Sequence, residues 1–360
     1  MAITESSTEQ RAPAAANRTP TRRGRWVKAL SFRNISAAYV LAGFVIIFAL
    51  WIPDKFLKWD TVQSVLSDSS ITALLAVAVV VPLAAAQFDL SVAAVLGLCS
   101  AASAYLMGGP YAGLPWTVAV VLTLLLGLVI GAINAALVVH WRVPSMIATL
   151  AMSSVLVGAG SAINLNNFLI GLPKTFTDVG QQNILGISSP FWALLVVSIA
   201  MWYFLSYTTT GRYVYATGGG EEATRLTGVR TTRIIAGALI VGAVVAAFAG
   251  IVATARVGAG QASIGPPYLL PAYAAAFLGS TQFGRGRFNV WGTVLATYTL
   301  AFGSKGLILA GAPVWTPDVF NGVALALAVA MSVRPAREGG RPTLRLRRSA
   351  SAPQPAPTRG

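Results

Sequence analysis

One cysteine, one histidine and eleven carboxylates are all that this 360-residue chain offers to redox, metal or acid–base chemistry. Each scarcity excludes a class of protein. A lone Cys99 permits neither an intramolecular disulfide nor a cysteine-based metal cluster. His140, in "HWRVP", has no second histidine or acidic residue near it in sequence, so no metal site is expected. The phosphate-cradling pattern G-x-x-x-x-G-K-[ST] is absent, so ATP is not bound by that route. "GGGEEA" (218–223) formally fits a dinucleotide fingerprint, but it follows an apolar run instead of a strand and no βαβ context surrounds it. No catalytic residue, metal ligand or cofactor is assigned to this chain, and a membrane-embedded enzyme is a distant reading.

Charge is also scarce. Only 10% of residues are charged and 55% are apolar, against about 25% charged in ordinary soluble domains. Apolar runs approach the roughly 20 residues that carry a helix across a bilayer. They fall at 35–52, 70–86, 91–107, 116–139, 144–163, 190–206, 233–254, 268–281, 291–310 and 318–333. None alternates with the period of two that a membrane barrel requires. The expectation is an all-α polytopic bundle of about ten transmembrane helices over 35–333, flanked by a basic tail at 1–34 and an Arg/Pro-rich tail at 334–360, both read as disordered.

The net charge of +15 follows topology, not a nucleic-acid groove. With the N-terminus inside and ten crossings, 21 of the 26 Lys and Arg residues lie on the inner side. Only Lys55, Lys58, Lys174, Arg256 and Lys305 lie outside, the asymmetry of the positive-inside rule with both termini cytoplasmic. The inner charge also suits anionic membrane lipids. "TRRGRWVK" in the first tail loosely resembles a twin-arginine signal, but a long apolar run and nine more follow it.

Almost every carboxylate belongs to a tail or loop, which argues against a proton- or sodium-driven carrier with acidic relays inside its bundle. Asp89, in the tight turn "QFDLS", is the one candidate for an intramembrane role. It is either a cap for the helix that follows, accepting from the N–H of Ser91 or Val92, or part of a solute path. Other polar side chains in the spans are few, and Ser91, Asn134, Thr149, Ser154 and Asn164 are the path candidates. Asn134, near Gly127 and Gly131, fits a hydrogen bond between closely crossing helices as well as a place in a path.

The inner loop 207–232 carries "ATGGGEEATRLTGVR". Gly218, Gly219 and Gly220 break the chain. Glu221 and Glu222 then suit a first helical turn, Arg225 pairs with either at i+4 or i+3, and Gly228 ends the helix in left-handed conformation. A two-turn helix with Leu226 as an apolar anchor does not stand alone, so it needs its own bundle or a partner to pack on.

Four segments carry a resemblance to the inner-membrane permeases of ribose-type, monosaccharide ATP-binding cassette importers. They are "QFDLSVAAVLGL" (87–98), "GLVIGAINAALVVHWRVPSMIATLAMSSVLVGAG" (127–160), "GRYVYATGGGEEATRLTGV" (211–229) and "YLLPAYAAAFLGSTQFGRGRFNVWGT" (268–293). Departures occur at Ala93, Pro271, Ser280 and Arg285, and they leave the particular sugar open. The resemblance implies cytoplasmic ATPase subunits that bind ATP and Mg, an external solute-binding protein, and a homodimer or heterodimer of permeases around the pore. It also implies that 211–229 docks on the ATPase. Outer segments 53–69, 164–189 and 311–317, with Trp59, Phe168, Phe176 and Trp315, are where the binding protein would sit. A passive channel or facilitator is the alternative, and it has no stated need for the inner loop.

Overall fold

The computed structural model describes residues 36–108, 111–164, 167–282 and 286–332. The two tails and Arg285 lie outside them. Each apolar run falls on a helix, because in a bilayer the backbone N–H and C=O groups have no water to bond and must satisfy one another. In chain order the helices are α1 (Ser36–Trp51), α2 (Pro53–Phe56), α3 (Trp59–Ala84), α4 (Val92–Met107), α5 (Trp116–Ala135) and α6 (Ser145–Asn164). There follow α7 (Lys174–Gln181), α8 (Ser189–Tyr207), α9 (Thr209–Gly219), α10 (Glu221–Leu226), α11 (Thr231–Val257), α12 (Leu269–Ser280), α13 (Val290–Leu309) and α14 (Thr316–Ser332). A two-residue hairpin, Asn183–Ile184 with Ile187–Ser188, is the only sheet among the described residues.

The protein is thus an all-α bundle. Five of its helical stretches are long and apolar enough to cross a membrane: Trp59–Ala84, Trp116–His140, Ser145–Ile163, Ser189–Tyr207 and Thr231–Val257. Three shorter apolar helices accompany them, Ala38–Trp51, Val92–Met107 and Thr316–Ala330. With 12 residues, α12 rises only about 18 Å, well short of a hydrocarbon core of about 30 Å. The outer segment 53–69 is not a loop as expected. It is α2 and the first turns of α3, whose apolar pattern begins only near Val65 and so left its helical start unread.

At the centre α3 crosses α11. The packing around them repeats. Helix α3 packs on α12 and α13, and α11 packs on α4 and α5; α4 leans on α6 as α12 leans on α14. Each half therefore runs long helix, short helix, twenty-residue helix, final helix. Small residues permit the close crossings: a Cβ on Gly127 or Gly131 of α5 would run into Ala247 or Ile240 and Ala243 of α11.

The segment 258–268 before α12, which holds two short 3₁₀ turns at Ala262–Ile264 and Pro266–Tyr268, is packed against protein. Gly260 pairs with Leu169 through reciprocal backbone bonds of 2.9 and 3.0 Å. Gly265 lies on the Ala93 carbonyl, and Ala262 presents its own carbonyl to Gly97. Any side chain at Gly97 or Gly265 would push this backbone off α4.

Candidate functional site: a coupling element and a buried polar turn

Helix α8 ends at Thr208, whose hydroxyl accepts from the Gly211 N–H at 3.0 Å and so caps α9. The sharp α8–α9 corner needs Gly211, because a Cβ there would meet the Phe204 and Leu205 carbonyls. Gly218 and Gly219 do not break the chain as the sequence suggested. Both are helical and close α9, and only Gly220 separates it from α10. The reason lies in packing: Gly218 faces the end of α3, and a Cβ on it would collide with the Ala84 carbonyl.

One turn earlier on α9, adjacent to Gly218 on the helix surface, the Tyr215 hydroxyl donates to the Phe288 carbonyl at 2.7 Å, just before α13, and the Arg287 guanidinium stands over the Tyr215 ring at 5.9 Å. Thus α9 touches the ends of two helices that meet in the bundle centre. By contrast α10 is a stretch of six residues, all exposed except Thr224. Arg225 bonds Glu222 at 2.7 Å, the i+3 pairing, while Glu221 takes a 3.2 Å bond from the Thr231 hydroxyl in place of the i+4 pairing. Leu226 is 79% exposed and anchors nothing within this chain. Gly228 has φ +87°, the left-handed stop anticipated for it.

The turn 85–91 joins α3 to α4 beneath α9. It leaves α3 through Ala86, a non-glycine residue at φ +56°, and then buries Asp89 to 1% exposure. Asp89 Oδ1 accepts from the Ser91 N–H at 3.0 Å and from the Ser91 hydroxyl. Ser91 Oγ in turn accepts from the Asn134 amide at 2.8 Å. Thr149 Oγ1 accepts from the Leu90 N–H at 3.0 Å, Ser145 Oγ from the Phe88 N–H at 3.2 Å, and Tyr273 of α12 donates to the Asp89 carbonyl at 2.9 Å. Phe88 stacks on Tyr273 and Phe277.

One turn therefore fastens α4, α5, α6 and α12 together. Asp89 Oδ2 and Asn134 Oδ1 have no protein partner among the described residues. Burial pushes the Asp89 carboxyl up to about 6, against the opposing effect of the two Ser91 bonds.

Of the path candidates, Asp89, Ser91, Asn134 and Thr149 come together here. Ser154 does not: it is exposed on α6. The Asn164 side chain lies outside the described residues. Among the outer aromatics, Trp59, Phe168 and Trp315 are exposed, but Phe176 is buried against Trp116 and offers no surface. Sequence reasoning missed Tyr273, Ser145 and Tyr215. Tyr273 had one signal, a hydroxyl-bearing ring within the alanine run "PAYAAAF".

Fold and site together define a polytopic membrane transport subunit. Residues 61–330 match the family described as "Branched-chain amino acid transport system / permease component". The chain is 33% identical over 281 residues to the ribose import permease protein RbsC of Escherichia coli K12, covering 76% of this chain and 86% of that protein. It is 32% identical to the ribose import permease protein RbsC of Haemophilus influenzae, over 71% of this chain and 80% of that one. The autoinducer 2 import system permease protein LsrC of Photorhabdus luminescens is also 32% identical, over 76% and 82% respectively. No solved structure matches. The chain belongs to this permease family and is a transport subunit of the inner membrane, and the resemblance carried by the four segments holds.

Proposed function

We propose that this chain forms the pore of an ATP-driven importer for a monosaccharide, with energy from cytoplasmic ATPase subunits and solute from an external binding protein. The ten apolar helices, α12 the shortest of them, are read as ten passages with both termini inside, since that arrangement puts 21 of 26 basic residues on the cytoplasmic face. Two permease chains, identical or related, enclose the path. ATP and Mg belong to the ATPase partner.

The observation that carries this reading is the seat of α9: Gly218 on the end of α3 and Tyr215 bonded to the start of α13. A rigid-body push on α9–α10 is delivered to the helix that crosses the bundle centre and to the turn holding Asp89. Packed interfaces respond to such pushes by switching between arrangements, not by deforming smoothly. The exposed face of α10, with Glu221, Glu222, Arg225 and Leu226, meets the ATPase. The sugar follows from the ribose permeases at a third identity.

The test is reconstitution in proteoliposomes with an ATPase subunit and a solute-binding protein of this importer class from the same organism. ATP-dependent uptake of a monosaccharide is expected. Equal uptake down a gradient without the ATPase would replace the importer with a passive facilitator.

A further inference from the structure

Away from the Asp89 turn, a polar cavity of about 300 Å³ opens between α3, α13 and α14, at the lower end of the range for small-molecule sites. Its polar wall is Asp68, Ser69 and Thr72 of α3, Thr297, Ser304 and Lys305 of α13, and Asn321 of α14. Two groups of this wall lack a protein partner among the described residues, and an exposed carboxylate stands beside them. Ser304 Oγ is buried with no hydrogen-bond partner. Lys305 is half-buried and makes no ion pair among the described residues. Asp68 is held from behind by Arg256, whose Nη2 lies 3.4 Å from Oδ1 while its Nε bonds Ser67 at 2.6 Å.

We infer that this cavity is a solute subsite built for a neutral polyhydroxylated molecule. The inference rests on the importer reading and adds a location and a chemistry to it. An ammonium group only donates and a carboxylate only accepts, so a ligand that satisfies Lys305 and Asp68 together needs groups that do both, which hydroxyls can. An anion brings like charge to Asp68, and a simple cation brings like charge to Lys305. A zwitterionic amino acid satisfies both charges, but it leaves the buried Ser304 hydroxyl, which has no partner among the described residues, facing an apolar side chain. An unpaired buried polar group discriminates against such a ligand. Five neutral hydrogen-bonding side chains around one ion-paired carboxylate suit a ring of hydroxyls.

The experiment places one cysteine in the cavity of the full-length chain in nanodiscs, with the native buried thiol removed by Cys99→Ala. Thr72→Cys is labelled with a small maleimide, with Asn321→Cys as the second position in case the first fails to fold and Ala112→Cys as a control in an exposed loop. Saturating D-ribose, D-galactose, D-gluconate and L-leucine are the probes. A neutral sugar is expected to slow labelling in the cavity several-fold and to leave the control unchanged, and Lys305→Met is expected to abolish the protection.

Protection by L-leucine or D-gluconate but by neither sugar overturns the assignment of ligand chemistry. Labelling that no probe slows overturns the site. ATPase co-purification is scored on the same preparations: protection without ATPase binding sinks the importer and keeps the site, and the reverse sinks the site alone.

Discussion

Gly218 of α9 lies directly on the carbonyl of Ala84, the last residue of α3, with no room for a Cβ between them. That contact joins the exposed α9–α10 loop to a helix at the centre of the bundle. Enlarging it separates coupling from folding. Gly218→Val should leave insertion intact, because α9 can tilt away, at an overpacking cost of about 1–3 kcal/mol. The ATPase should still co-purify, while uptake per ATP hydrolysed falls at least several-fold. Unchanged transport stoichiometry would remove this contact from the mechanism.

Charge reversal on α10 tests the partner instead. Glu221→Lys with Glu222→Lys breaks the Arg225 bond and the Thr231 bond, both of them at the exposed end of the loop, so detergent-extracted protein should keep its normal yield and elution volume. Reversing two interface charges costs several kcal/mol, on the order of a hundredfold or more in affinity. ATPase pull-down and solute-stimulated hydrolysis should both collapse. A double variant that retains its ATPase at the wild-type level leaves α10 as a solvated turn.

The Asp89 turn makes a pH prediction. Its carboxyl is raised by burial from 3.8 to about 6, so the folded protein binds the proton more tightly than the unfolded chain. Stability from this group is full below about pH 4 and declines as pH rises toward 6; beyond that it changes no further. Asp89→Asn should flatten that part of the thermal-unfolding profile and still accept from the Ser91 N–H. If the variant keeps the wild-type slope between those values, another group is responsible. If it folds at full yield but imports nothing, the charge itself is needed for transport.

Ser91 links Asp89 to Asn134, so removing its hydroxyl leaves the Asn134 amide without a partner and Asp89 with the Ser91 N–H alone. Ser91→Ala should destabilise the protein by about 1–3 kcal/mol, the range for buried polar groups left unpaired. Adding Asn134→Leu should recover part of that loss, because one stranded group is then gone. Additive losses in a double-mutant cycle would show that the two side chains are not coupled.

Sidedness can be read directly. Reporter fusions after Gly220 and after Gly186 should report cytoplasmic and external locations respectively; the opposite result inverts the whole arrangement.

Much of this protein was legible before its structure. The apolar runs located the helices because a bilayer leaves the backbone no partner but itself. The Glu222–Arg225 pair and the left-handed Gly228 were readable because they depend on neighbours three residues away or on one residue's own conformation. The helical Gly218 and Gly219 were not. Glycine's local preference is to end a helix, and the reason for a glycine at 218 is the Ala84 carbonyl, more than 130 positions away in sequence.

What the sequence determined by itself was therefore class, span positions and the composition that excludes catalysis by familiar motifs, all properties of windows of about twenty residues. Tertiary structure decided which polar residues meet. Asp89, Ser91 and Asn134 share a turn with Thr149 and Tyr273, although as many as 184 positions separate them. Ser154, equally polar and equally embedded in an apolar run, faces outward. The difference arises because burial of a side chain depends on which neighbouring helix covers its face, and helix crossings are set by small residues such as Gly127 and Gly131 whose partners lie more than a hundred residues away.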